Sequence, residues 1–232
     1  MHYFNEISKI LAELGYYDSR NLIFITVPKS PNDINDDAYI QIKKIEEITK
    51  HDVTAINQYI KIYAKELFDV SEQQLNFVHM ALTSNDLNSP AYMKKFINGL
   101  NEVMNEFNKY IVEYEKFIVR TKDIIIMSRT HGQPAVPTDF AKELYVHFDI
   151  ILKNYNELQI FINDKNNIEC KFGGAVNNLN AHLLINKNYD WIAFADKFID
   201  SFGMKRSKYA TQIDHYETIS KILSMIVFAT DY

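Results

Sequence analysis

The 232-residue chain carries a net charge of −5 and a pI near 5.8, with basic and acidic residues interspersed along it. Nucleic-acid surfaces need concentrated Lys and Arg, so this balance argues against nucleic acid as a partner. No run of about 18 apolar residues is present to cross a membrane. The opening segment Met1–Glu6 lacks the basic start and apolar centre of a signal peptide, and a single cysteine, Cys170, excludes an internal disulfide; the chain reads as cytoplasmic.

Six glycines and five prolines fall well below the roughly 12% of average usage, while apolar residues reach 47%. Turns must therefore be few and elements long. The length suffices for one large domain or two small ones with a substantial core.

In chain order, Phe4, Ile7, Ile10, Leu11 and Leu14 space a short helix closed by Gly15, and a Pro-, Asn- and Asp-rich loop runs from Pro28 to Asp37. Helices are predicted at 38–48, 53–68 and 72–82. A long stripe through Tyr92, Phe96, Leu100, Met104, Phe107, Ile111, Tyr114 and Ile118 advances in steps of three and four, which predicts a helix of about seven turns. Residues 124–128 are apolar and β-branched enough for a short extended segment. A second stripe, Ala141, Leu144, Phe148, Ile151, Tyr155, Leu158 and Ile162, alternates threes and fours as packed bundle helices do. Thr138 or Asp139 is placed to cap it. Residues 172–180 read as a Gly- and Asn-rich loop, and Tyr216, Ile219, Leu223 and Ile226 form a third stripe. That helix runs to the end without a Gly or Pro stop, which reads as a truncation. The fold class is all-α: a small N-terminal helical domain, residues 1–90, precedes long antiparallel bundle helices in a partial central domain, residues 91–232.

Chemistry concentrates in short polar segments. His131 lies in a connection between an extended segment and a capped helix. An imidazole titrating near pH 6.5 can donate or accept a proton there, although a lone histidine is more often structural. Ser84, Asn85 or Asp86 can cap a helix beginning near Asn88, His51 and Asp52 can be a satisfied polar pair, and His79, after Phe77 and Val78, reads first as a core histidine. Gln212 can be a surface residue, and His147, His182 and His215 are taken as structural or exposed. No His, Cys or acidic spacing fits a metal site, and no phosphate loop or dinucleotide fingerprint occurs. Neither a metal nor a cofactor is expected.

The octapeptide Ser128-Arg129-Thr130-His131-Gly132-Gln133-Pro134-Ala135 resembles a motif of the fumarase and aspartase superfamily, closest to its adenylosuccinate lyase branch. Four further segments resemble that branch in the same order: Thr49 to Val53, Thr83 to Asp86, Lys171 to His182 and Thr211 to Ile213. The resemblance implies β-elimination of fumarate from adenylosuccinate, giving AMP, and from the succinylated imidazole-carboxamide ribotide. It implies His131 as general acid at the departing nitrogen, and Lys50, His51, Asp52, Thr83, Ser84 and Gln212 around the substrate. His79 and Thr130 would support the site. It also implies a homotetramer whose sites draw residues from three chains. The family's base is a serine on a Gly-Ser-Ser-x-Met-Pro-x-Lys-x-Asn loop, which this sequence does not contain, and the phosphate-gripping Arg-Tyr pair near the family's start is absent too. Two departures stand out: Tyr216-Glu217 replaces the usual His-Asp pair, and Pro90 interrupts the start of a normally continuous helix. An argininosuccinate lyase-like or aspartase-like enzyme and a non-catalytic helical assembly module are the alternatives; Gln133-Pro-Ala and Thr211-Gln-Ile weigh against the former.

Overall fold

The computed structural model describes residues 36–67 and 70–231. The expected helix through Phe4 and Leu14 and most of the Pro28–Asp37 loop lie outside the described residues. Helices dominate, with four short strands: α1 (Asp36–Thr49), α2 (Asp52–Leu67), α3 (Glu72–Leu75), α4 (Ser84–Arg120), β1 (Ile125–Thr130), β2 (Gln133–Asp139), α5 (Phe140–Asn163), β3 (Glu169–Cys170), α6 (Asn180–Ile185), α7 (Trp191–Asp200), β4 (Lys205–Arg206) and α8 (Glu217–Thr230). These form two compact units. One contains the described residues up to Leu87 together with Gly173–Phe194; the other contains Asn88–Phe172 and the described chain from Ala195 onward.

In the first unit α1 packs on α2, with Ala38, Val53, Ala55 and Ala64 buried. Small side chains there allow close approach of the two backbones. Asp36 and Asp37 occupy the first turn of α1, where the helix dipole favours negative charge. The predicted 72–82 helix is cut short. Ser71 and Gln74 form a capping box that starts α3, but the chain leaves helical geometry after Leu75, and both His79 (φ 70°) and Ala81 (φ 61°) are left-handed. Neither residue is a glycine, so no sequence signal marks this break. Further along, the edge of the Trp191 indole meets the His182 ring at 5.1 Å and Tyr189 at 4.8 Å, while Trp191 Nε1 donates to Asn186 O at 2.8 Å. His182 is fully buried.

The second unit is built on the long run of α4, whose 37 residues extend roughly 55 Å. The helix begins at Ser84, not near Asn88, and continues through Pro90 without the expected interruption. Proline removes one bond, toward the carbonyl of Asp86, and its ring crowds that carbonyl, a local cost that the helix absorbs without ending. Leu100, Met104, Ile111 and Ile118 are buried as their spacing predicts, whereas Tyr92 is exposed and Met93 takes the inward place. The α5 stripe buries Phe148, Ile151, Tyr155 and Leu158. Edge-on rings join the two helices, Phe107 with Tyr155 at 5.3 Å and Tyr114 with Phe148 at 5.6 Å.

Helix α8 packs on α5, but not through the predicted stripe. Thr218, Ile222 and Ala229 are buried while Leu223 is half exposed. Apolar residues nearly surround this helix, so spacing alone left its inward face undetermined. Tyr216 precedes the helix, in a left-handed conformation. Strands β3 and β4 pair in parallel, Glu169 with Lys205 and Cys170 with Arg206. Cys170, Phe172, Phe198, Ile199 and Met204 are buried about them. Two-residue strands leave no period to read, and none was predicted.

Candidate active site

His131 lies at the tip of an antiparallel hairpin, whose second strand fills the connection between the extended segment and the helix. Strand β1 pairs with β2 from Ile125–Asp139 to Thr130–Gln133, which leaves His131 and Gly132 as the two turn residues. Both have positive φ, 50° and 76°. That is the turn geometry whose twist matches paired strands, and histidine is among the non-glycine residues that tolerate it. Between Met127 and Arg129 the register shifts. There Ser128 Oγ donates to Val136 O at 2.5 Å and accepts from Val136 N at 3.2 Å. Arg129 Nη1 donates to Gly132 O at 3.0 Å and closes the tip. The octapeptide thus encodes its own scaffold. His131 and Thr130 are both exposed, so the imidazole is open to an incoming ligand and is not wedged among aliphatic side chains. Asp139 precedes α5 as its cap residue but makes no side-chain capping bond.

In the first unit, the Lys50–Asp52 corner joins α1 to α2. Lys50 is left-handed (φ 54°) and its amide closes α1 on Glu46 O at 2.8 Å. His51 precedes α2: its Nδ1 lies 3.4 Å from the Thr54 amide and 3.2 Å from Asp52 Oδ1. Both side chains are about half exposed.

Thr83 and Ser84 open α4. Asp86 N donates to Thr83 O and the Asp86 carboxylate accepts from Thr83 N, each at 3.0 Å, which is half of a capping box. The hydroxyls of Thr83 and Ser84 have no hydrogen-bond partner among the described residues and are only partly buried. They remain available to a ligand at a helix N-terminus, where anions are favoured. Asp86 itself is fully buried and also accepts from Gly173 N at 2.9 Å and Gly174 N at 3.0 Å. Gly174 has φ +78°, a backbone conformation that glycine adopts without strain.

His79 is half-buried, and its Nε2 has no hydrogen-bond partner among the described residues. Burial pushes its pKa below the ordinary histidine value, opposed by its own backbone and the Asp86 carboxylate and reinforced by His51 and Lys61. His79, Asp86, His51 and Lys61 therefore share one electrostatic neighbourhood.

In the second unit Gln212 is exposed in the segment before α8. Two residues on, the buried Asp214 accepts from the Ser89 hydroxyl, from Lys171 N at 3.2 Å and from Tyr216 N at 3.2 Å. The roles of Asp86, Asp214 and the Gly173–Gly174 pair were not drawn from the sequence beyond a capping role for Asp86. The Thr83/Asp86 capping spacing and the adjacent glycines were the available signals. Among the described residues no cluster of His, Cys, Asp and Glu has the makings of a metal site.

Curated proteins similar to this chain are adenylosuccinate lyases. That of Dictyostelium discoideum is 33% identical over 79% of this chain and 39% of its own length, and that of Escherichia coli (strain K12) 32% identical over 80% and 40%. That of Legionella pneumophila (strain Corby) is 29% identical over 97% and 52%. The chain thus spans about two fifths to one half of the length of these relatives. Among solved structures, the β-carboxy-cis,cis-muconate cycloisomerase of Acinetobacter calcoaceticus superposes with a TM-score of 0.66 at 16% identity, covering 97% of this chain and 51% of that one. A fumarate lyase from Mesorhizobium gives 0.65 at 13% identity, covering 99% and 50%. These likenesses show the fold: the chain shares the mainly helical fold of these two enzymes. The family model described as Lyase matches residues 19–229, and the chain belongs to that lyase family.

Proposed function

We propose that this chain supplies the proton-donating and substrate-binding part of an adenylosuccinate lyase. The observation that carries the reading is the presentation of His131 at the open tip of a hairpin whose octapeptide fixes the turn. Elimination requires a base to take the proton beside a carboxylate of the succinyl group while an acid protonates the departing purine nitrogen. The carbon–nitrogen electron pair leaves with that nitrogen, and fumarate and AMP result. In this reading His131 is the acid. Thr83 and Ser84 donate to phosphate oxygens of the nucleotide at the N-terminus of α4, and Gln212 donates to the succinyl carboxylate, where negative charge gathers in the transition state. Lys50, His51 and Asp52 border the nucleotide, and His79 and Thr130 support the site. The succinylated imidazole-carboxamide ribotide carries the same succinyl group, on a carboxamide nitrogen, and is the second substrate. Acid–base elimination calls for no cofactor.

The base is assigned to a Gly-Ser-Ser loop that this sequence does not contain, so turnover by the chain alone should be negligible. Assembly into a homotetramer, which gathers residues of several copies but cannot supply the missing loop, is supported by apolar surface left open in the second unit, including Val119, Ile160 and Phe228 at 60%, 73% and 61% exposure. The β1–β2 ribbon points the same way. A lone two-stranded hairpin is marginal in water, yet this one exposes Ile125, Met127 and Val136. A cytoplasmic setting accords with the single cysteine, and no described helix is long and apolar enough to cross a membrane.

Titration calorimetry with AMP and with argininosuccinate tests the assignment. AMP should bind, argininosuccinate should not, and the double variant Thr83→Ala, Ser84→Ala should weaken AMP at least ten-fold. Preference for argininosuccinate would redirect the assignment to another branch of the superfamily.

A further inference from the structure

We infer that Asp86 is the positioning residue of this site: its buried carboxylate sets the Thr83–Ser84 hydroxyls by tying the start of α4 to the Gly173–Gly174 loop. The inference rests on the proposed nucleotide site only for what those hydroxyls bind, not for the tie itself.

Asp86 is fully buried, so it acts on a ligand only through the groups it holds. Three backbone amides from two distant stretches of chain converge on its two oxygens. Oδ1 accepts from Gly173 N at 2.9 Å and Gly174 N at 3.2 Å, while Oδ2 accepts from Thr83 N at 3.0 Å and Gly174 N at 3.0 Å. Bonds from amides to an ionised carboxylate are among the stronger ones, and losing the acceptor strands buried donors. On the loop side of the tie, any residue other than glycine would be strained. At Gly173 a Cβ would stand 2.8 Å from Asn177 Cα, and Gly174 is left-handed. A carboxylate at this position of α4 also reaches back to the helix's first amide, which an ordinary cap does as well. Reaching the glycine loop in addition is what a cap does not require.

An asparagine tests this sharply, because it keeps the shape but presents an NH2 group to one set of donors. In Asp86→Asn, amide hydrogen exchange should accelerate at least ten-fold at one or more of Thr83, Gly173 and Gly174. Exchange at the Leu158 amide of α5 should hold, and AMP affinity should fall at least ten-fold. Asp86→Glu, which restores the charge, should recover part of the AMP affinity. A merely structural role predicts a different pattern: a lowered urea midpoint, with Leu158 loosening along with the other three. That pattern, unchanged exchange at all three amides, or unchanged AMP affinity despite loosened amides would each overturn the inference. Failure of the unsubstituted chain to bind AMP would sink the nucleotide reading instead, and selective loosening of the three amides would still support the tie.

Discussion

Gly173 passes so close to Asn177 that a Cβ there would meet Asn177 Cα at 2.8 Å and its carbonyl carbon at 3.0 Å. The obstacle is backbone, which cannot swing away as a side chain would. Gly173→Ala should therefore destabilise the protein by about 2–3 kcal/mol. Gly99 is the control: it is exposed in α4 with nothing within 4 Å of a Cβ. Gly99→Ala should stabilise by about 0.5–1 kcal/mol through helix propensity. Urea unfolding followed by circular dichroism reads both, and the two changes should have opposite signs.

His79 makes stability depend on pH. Its pKa is lowered from 6.5 chiefly by burial. The unfolded chain therefore binds this proton more strongly than the folded one, and stability falls as pH drops below about 6.5 toward the folded value. Above that the neutral ring imposes no penalty. Urea midpoints of the wild type and His79→Gln between pH 5 and 8 should converge at the acid end if the wild type is the more stable at neutral pH. Parallel curves would show that this ring does not carry the effect.

The sequence made the helical class and the bundle faces of α4 and α5 legible, because an unbroken three-and-four spacing over many turns has only one periodic explanation. It was less informative wherever geometry is set by residues far apart. Helix α3 ends early at Leu75, and no glycine announces the left-handed backbones of His79 and Ala81 beyond it. The inward face of α8 was misplaced because its apolar residues surround it. His131 was singled out from its octapeptide, but the hairpin was not, since prolines at 134 and 137 mask a strand that has no interior neighbour to disturb. Asp86 looked like a cap because its local partner is three residues away. Its other partners lie nearly ninety residues on and leave no trace in a one-dimensional pattern.

Cys170 should be inert in the native protein. It is buried against Met204, and burial, with the Asp214 carboxylate nearby, pushes its thiol up to about 12. Thiolate, not thiol, is the nucleophile. Iodoacetamide at pH 8 should leave the folded chain unmodified and label the urea-unfolded chain once per molecule by mass spectrometry. Because ionisation above about pH 9 is easier in the unfolded chain, this group should also cost stability at strongly alkaline pH.

The role of His131 is tested most directly by fumarate release from adenylosuccinate after this chain is assembled with a polypeptide carrying the Gly-Ser-Ser loop. With His131 intact the assembly should release fumarate. With His131→Ala the rate should fall by roughly 10²–10⁴-fold, and the melting temperature should not move, because the side chain is exposed. Equal rates from the two assemblies would contradict the account.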